Sequence, residues 1–302
     1  MVRHILLFIA LLILITGCNN SMNGKVDSQK LHETINKSTN EQESGKQKSV
    51  FTNGIANDKT HSKGSEKDNV NLDNHLVKDS DGAEASKTHK QKLYQVNSSD
   101  WRIEPITDAN KKIVLLTIDD APDRYSIEMA QILHDLKVKA IFFVNGHFLD
   151  SEEEEHVLKE IYQMGHVIGN HTMTHRNLSD LSNEEQESEI INLNDLVEKI
   201  IGERPQFFRA PFGVITDVSR TIAAKEGMVL MNWTYGYDWE SEYRSKEALT
   251  NIMVNSPFLK NGANLLLHDR EWTKEALSQI VDGLRSKGFE IVDPNLIQVT
   301  SE

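Results

Sequence analysis

An α/β fold built on a parallel sheet is predicted for residues 101–302 of this 302-residue chain. Two observations point to it. Short apolar runs of strand type alternate with segments of helical period, and a polar, chemistry-bearing segment follows most of the runs. Seven strands alternating with helices are most compactly arranged as a closed or nearly closed barrel, with an open doubly wound sheet as the alternative; either geometry gathers the residues that follow the strands at one end of the sheet.

The elements follow in order. Lys112 to Ile118 is a continuous apolar run, as in a strand buried on both faces, and Met129, Ile132, Leu133 and Leu136 then keep a helical period. Ala140 to Val144 is a second strand. Ser151 with Glu154 three residues on is a capping-box signature, and Val157, Leu158, Ile161 and Met164 form the buried stripe of that helix. The run Glu152 to Glu155 is read as acidic residues favoured in a first helical turn rather than as a cation site. A strand at His166 to Gly169 precedes a helix from about Glu184 to Ile201. A strand at Gln206 to Phe208, a helix at Asp217 to Lys225, a strand at Met228 to Trp233 and a helix from near Lys246 come next. The series closes with a strand at Asn264 to Leu267, a helix at Thr273 to Lys287 and a strand at Glu290 to Val292.

The N-terminal third differs. Arg3, the apolar run Ile5 to Ile15 and Thr16-Gly17-Cys18 read as a signal peptide of residues 1–18, because about 11 apolar residues fall short of the roughly 20 that span a bilayer. Ile15-Thr-Gly-Cys18 resembles a bacterial lipobox, which implies lipidation of Cys18, the only cysteine, and an extracytoplasmic protein anchored to the cell membrane. Residues 19–100 are rich in Asn, Ser, Lys, Asp and Gln and hold too little apolar surface to offset ordering entropy, so a disordered tether is expected. That stretch carries 12 basic and 12 acidic residues, so the net charge of −13 comes almost entirely from residues 101–302, where 20 Lys and Arg oppose 34 Asp and Glu, with Arg3 the remaining base. Such a balance argues against a nucleic-acid partner and against adhesion of the folded part to anionic lipid. A monomer is expected.

Five polar segments carry the chemistry: Asp119-Asp120, His171-Thr-Met-Thr-His175, Arg209-Ala-Pro-Phe-Gly213, Asp238-Trp239 and His268-Asp269. On a helical turn, His171 and His175 at i, i+4 present both imidazoles to one cation, and Asp119-Asp120 offers a carboxylate as third ligand; two histidines, a carboxylate and an open position suit a catalytic metal. One of the two aspartates can ligate the cation while the other stays free to take a proton. Arg209 can hold one aspartate ionised, and His268 suits a general acid that Asp238 could tune. Trp233, Tyr235, Tyr237 and Trp239 form an aromatic group that either stacks on sugar faces or belongs to the core. Zn²⁺ is the default metal, with Co²⁺, Ni²⁺ or Fe²⁺ compatible with the same donors.

In order and spacing, Thr117-Ile-Asp-Asp-Ala-Pro122, the His171 and Arg209 segments, Asp238-Trp239 and Leu265-Leu-Leu-His-Asp269 resemble the five motifs of the polysaccharide deacetylases, carbohydrate esterase family 4. The resemblance covers about residues 110 to 295. It implies a distorted (β/α) barrel and the removal of N-acetyl groups from an amino-sugar polymer, peptidoglycan first, a chitooligosaccharide or poly-N-acetylglucosamine as alternatives. By position it implies Asp119 as base, Asp120, His171 and His175 as metal ligands, and His268 as acid. It further implies that Arg209 orients Asp119, that Asp238 tunes His268, that the Phe212 N–H helps hold the oxyanion, and that Trp239 and Leu266 line the acetyl pocket; Tyr235, of the aromatic group, is expected beside the substrate on the residue reading alone. Two departures stand out: Ala121 replaces the usual Gly after the aspartates, and Gly236 stands where many members carry another acidic residue. A non-catalytic glycan-binding lipoprotein is the reading from a different class; the presence of both Asp119 and His268 weighs against it.

Overall fold

A computed structural model describes residues 91–299; the signal peptide, Cys18 and the expected tether up to residue 90 lie outside the described residues. Nine strands are formed, β1 (Tyr94–Val96), β2 (Ile103–Pro105), β3 (Ile113–Ala121), β4 (Ile141–Val144), β5 (Val167–Asn170), β6 (Phe207–Phe208), β7 (Val229–Leu230), β8 (Ala263–His268) and β9 (Glu290–Ile291). The longer helices are α1 (Ser126–Asp135), α2 (Glu152–Gln163), α3 (Asn183–Ile201), α4 (Asp217–Lys225), α5 (Lys246–Asn255) and α6 (Glu271–Ser286).

Seven strands make one sheet in the order β7-β6-β5-β4-β3-β8, with β9 on β3, and every pairing in it is parallel. The sheet curls into a half-barrel. Beyond β7 the chain turns back to β8: Thr234 N–H donates to Asn264 O at 2.8 Å, and Leu266 N–H donates to Tyr235 O at 2.9 Å. This bridge ties the loop after β7 to the β8 edge of the half-barrel. At the start of β3, the Glu290 N–H of β9 and the Val292 N–H just after it donate to the Lys112 and Val114 carbonyls, on the edge of β3 that β4 takes up only from Thr117 onward.

Alternation along β3 sorts the side chains into two layers. Val114, Leu116 and Ile118 pack outward against α1, α2 and α6 residues such as Leu133, Leu158 and Leu277. Ile113 and Leu115 point inward and meet Ile141, Phe143, Phe207 and Met231. The same inward face continues upward through Thr117 to Asp119. On β6, Phe207 is inward and Phe208 outward, so Arg209 is inward again. On β8, Leu265 and Leu267 are outward, which leaves Leu266 and His268 inward. A period of two thus carries three of the expected residues to one mouth of the barrel.

The helix signals are formed as read. Ser151 and Glu154 make a reciprocal capping box at the start of α2, with Glu152 to Glu155 in its first turn, and α3 ends on Gly202 in the left-handed conformation.

The expected start of the folded part at Trp101 needs correction. Strand β1 lies within the stretch read as tether and pairs antiparallel with β2. Leu93 N–H donates to Leu296 O, and Tyr94, Ile103 and Ile297 seal the end of the barrel opposite the mouth. Three apolar residues in a polar stretch carry little local signal; their burial comes from the far end of the chain. None of the described helices is long and apolar enough to cross a membrane.

Candidate active site

In a regular strand, consecutive side chains point to opposite faces, so Asp119 and Asp120 could not both face the mouth. The register of β3 against β4 shifts between Ile118 and Ala121, and Asp120 takes φ 60°, in the left-handed region. This bulge turns the second aspartate back toward the pocket that the first already faces. Ala121, at the site of the first departure, is fully buried against the core and precedes a cis Pro122.

The histidine segment is not helical, which corrects the expected i, i+4 helical turn. It is a loop in which Thr172 (φ 72°) and His175 (φ 56°) are left-handed, and the two imidazole centroids come to 5.0 Å. Buried polar groups hold this loop. The Asn170 carboxamide accepts the Thr172 N–H and donates to the Ile190 carbonyl of α3, while Glu189 accepts the Thr174 N–H and hydroxyl. The His171 Nδ1–H donates to Arg209 O at 2.7 Å, so the free lone pair is on Nε2.

Asp120, His171 and His175 each offer a ligand atom, all within 4.8 Å of one another. His175 Nε2 is 3.4 Å from Asp120 Oδ1, and His171 Nε2 is 3.6 Å from Asp119 Oδ2. Burial, with His171 alongside, pushes His175 down to about 4, so its ring is neutral. Burial disfavours an ionised Asp120, yet the surrounding His268, His171, His175 and Arg270 prevail and hold its carboxyl below the usual range. Two imidazoles, that of His171 oriented from behind by the Arg209 carbonyl, and one carboxylate fit a divalent cation with positions left open.

Arg209 is wholly buried over the Phe143 ring, 4.3 Å from its centroid. It donates to Asp119 Oδ1 at 2.6 Å, to Thr117 Oγ1 at 2.9 Å and to Asn232 O at 2.9 Å. Burial lowers its pKa against the pull of Asp119, its sole carboxylate partner among the described residues. Across the mouth, the His268 Nδ1–H donates to Asp238 Oδ1 at 2.7 Å. The His268 N–H and Thr273 hydroxyl donate to Asp238 Oδ2, and Trp272 Nε1–H donates to the Asp238 carbonyl. Burial alone would lower the pKa of His268; the Asp238 carboxylate, helped by Asp120 and Asp119, outweighs it and pushes the imidazole up to about 9.

The aromatic residues divide. Trp239 is 40% exposed with its ring 5.5 Å from that of His268, and Phe212 is 57% exposed, left-handed at φ 58° and edge-on to His175. Tyr235 belongs to the core, where its hydroxyl donates to Met253 O, so its expected place beside the substrate is corrected. Leu266 is buried on the inward face two residues before His268. Gly236 is set by close approach: a Cβ there would stand 2.5 Å from Leu266 O.

Sequence reasoning included Asp269 in the last segment without giving it a role, and missed Arg270. The buried Asp269 carboxylate accepts the N–H groups of Asp123, Tyr125 and Ser126 and the Ser126 hydroxyl, fixing the loop after the aspartates and capping α1, whose own Tyr125 supplies no side-chain cap. Arg270 donates to Asp120 Oδ2 at 2.8 Å. The Asp of the last segment was in view; its partners are not deducible from spacing.

Comparison with known proteins agrees with this geometry. The polysaccharide deacetylase family matches residues 106–231, a span that contains the aspartates, the histidine segment and Arg209 but ends before Asp238 and His268. A peptidoglycan-N-acetylglucosamine deacetylase of Bacillus cereus is 30% identical over 201 residues, covering 64% of this chain and 71% of the relative. The crystal structure of the Bc1960 peptidoglycan N-acetylglucosamine deacetylase superposes with a TM-score of 0.57 at 29% identity, over 64% of this chain and 91% of that one. BA3943 of Bacillus anthracis, described as a carbohydrate esterase family 4 pseudoenzyme, superposes with a TM-score of 0.55 at 29% identity, over 60% of this chain and 63% of that one. By sequence coverage, fold and the placement of its polar segments, the chain belongs to the polysaccharide deacetylase family, carbohydrate esterase family 4.

Proposed function

We propose that this chain is a metal-dependent hydrolase that removes N-acetyl groups from an amino-sugar polymer, and that the polymer is peptidoglycan. One observation carries the reading: a carboxylate held by arginine, Asp119 with Arg209, and a histidine held by carboxylate, Asp238 with His268, flank the Asp120, His171 and His175 donor set. That is a base and an acid on either side of a cation position.

A divalent cation there, Zn²⁺ by default, supplies Lewis acidity that polarises the acetyl carbonyl and lowers the pKa of a water. Asp119 Oδ1 is occupied by Arg209, so Oδ2, on the side of His171, receives the proton of the attacking water. His268 holds its Nδ1 proton on Asp238 and is raised to about 9, so Nε2 carries a proton at neutral pH for the departing amine. Acetate and a free amino sugar result. The Phe212 N–H, on a left-handed residue beside His175, is suited to the oxyanion, and exposed Trp239 to one wall of the acetyl pocket.

Peptidoglycan is favoured over other acetylated glycans by two Bacillus cereus relatives named as peptidoglycan-N-acetylglucosamine deacetylases and by the N-terminal reading, while chitooligosaccharide deacetylases are also among the similar proteins. A lipidated Cys18 and a tether with an average reach of about 50 Å place an enzyme beneath a cell wall. Likeness to a pseudoenzyme keeps one rival, a non-catalytic glycan binder. Both are decided by incubating the full-length chain with purified peptidoglycan and with acetylated chitooligosaccharides and measuring acetate with and without chelator. Acetate from peptidoglycan that disappears with chelator and returns with Zn²⁺ is expected; no acetate from either substrate after metal restoration rejects catalysis.

A further inference from the structure

We propose that Arg270 is the positioning residue for the cation ligand Asp120: it fixes which carboxylate oxygen faces the donor set. The inference rests on the cation site proposed above. Three other members of the site, His171, Asp119 and His268, are each held from behind. His171 is held by the Arg209 carbonyl, Asp119 by the Arg209 guanidinium, and His268 by Asp238, which itself accepts three donors. Among the described residues, Arg270 is the only hydrogen-bond donor to the Asp120 carboxylate.

The geometry makes the dependence specific. Asp120 sits at the bulge in a left-handed conformation, which aspartate adopts more readily than most non-glycine residues, so the backbone turn does not by itself fix which oxygen faces the pocket. Arg270 takes Oδ2, so Oδ1 is left toward His175 Nε2 and Asp120 is presented as a one-oxygen ligand. Arg270 is itself anchored: its Nη1 donates to Asp269 O at 2.8 Å, and it sits at the N-cap of α6 in extended backbone. The consecutive residues His268, Asp269 and Arg270 thereby reach three parts of the mouth. The first faces Asp238, the second clamps the loop after the aspartates, and the third aims Asp120.

Partners that orient metal ligands commonly set affinity by 10- to 100-fold when removed. The test titrates Co²⁺ into the full-length chain and into R270M, R270Q and R270K, by calorimetry and by visible absorption. R270M and R270Q are expected to bind about tenfold more weakly. Their d–d bands at saturation should be displaced from the parent's, because Asp120 can turn and offer both oxygens. R270K, which can still donate to Oδ2, should keep the parent's bands and most of its affinity. The Arg270 side chain is 38% exposed, so the variants should fold; if R270M does not melt cooperatively, R270Q carries the comparison. Equal affinity with superimposable bands in R270M and R270Q overturns the proposal, and so does tighter binding, which would make Arg270 a competing charge. Absence of saturable Co²⁺ binding in the parent chain rejects the cation site itself, a distinct result.

Discussion

His268 and His175 share one pocket and are pushed in opposite directions. Asp238 raises His268 to about 9, whereas burial lowers His175 to about 4. In the metal-free chain a raised histidine contributes stability that is complete below its unfolded value near 6.5 and is lost as pH rises toward 9. Unfolding by urea is therefore expected to become easier between pH 6.5 and 9, by on the order of 3 kcal/mol, and D238N should flatten that limb. A lowered histidine has the opposite sign, so His175, and the buried core residue His166 at about 4, favour the fold above 6.5 and weaken it as pH falls toward 4. For the reaction, D119N should reduce the acetate release rate by 10²- to 10⁴-fold, the range for loss of a general base, while Co²⁺ titration still detects a bound ion. Equal loss of binding and rate would place Asp119 among the ligands instead. The residue types were legible in advance because each stood after an apolar run. The roles of Asp269 and Arg270 were not, since a charged pair at a helix start is common and only contact distinguishes a clamp from a solvated turn.

At the scale of elements, the site depends on two irregularities and one close approach. The bulge at Asp119-Asp120 brings together two side chains that a regular strand would aim apart, and the left-handed loop at Thr172 to His175 brings the two imidazoles together without a helical turn. The loop after the bulge is held by four donors into Asp269, all buried or half-buried. D269A should cost about 3 kcal/mol or more in thermal or urea unfolding, because it strands several donors and uncaps α1. A loss below about 0.5 kcal/mol, as at ordinary surface positions, would mean that the loop is held by its own backbone. G236A is expected to cost about 1 to 3 kcal/mol, since its Cβ would stand 2.5 Å from Leu266 O and the bridge to β8 would have to shift. Element boundaries were legible to within a few residues where period was strong, as in α2, α3 and α4. The β1–β2 hairpin was not, because its partners lie on β8 and the C-terminal segment rather than nearby in sequence.

For the whole molecule, the parallel sheet is what turns distant segments into one mouth. Each strand ends at the same rim, so residues from β3, β5, β6 and β8 and the loop after β7 meet there. The acidic balance of the folded part suits a protein that works near, rather than on, an anionic surface. With C18A, cell fractionation should move the protein from the membrane to the soluble extracytoplasmic fraction; retention in the membrane would mean that Ile5 to Ile15 stays as an uncleaved anchor.

The strand and helix alternation, the parallel sheet, the inward period of two and the residue types at the strand ends were all determined by the sequence. Each is a property of local pattern, and local pattern is set by side-chain size, polarity and spacing. Tertiary structure alone decided that Asp120 turns back over a bulge, that the histidines meet on a left-handed loop, that Tyr235 is core and that Arg270 faces Asp120. Those outcomes come from which partner surrounds a residue once the chain has closed on itself: a buried polar group takes the geometry its hydrogen-bond partners allow, and those partners lie on other strands.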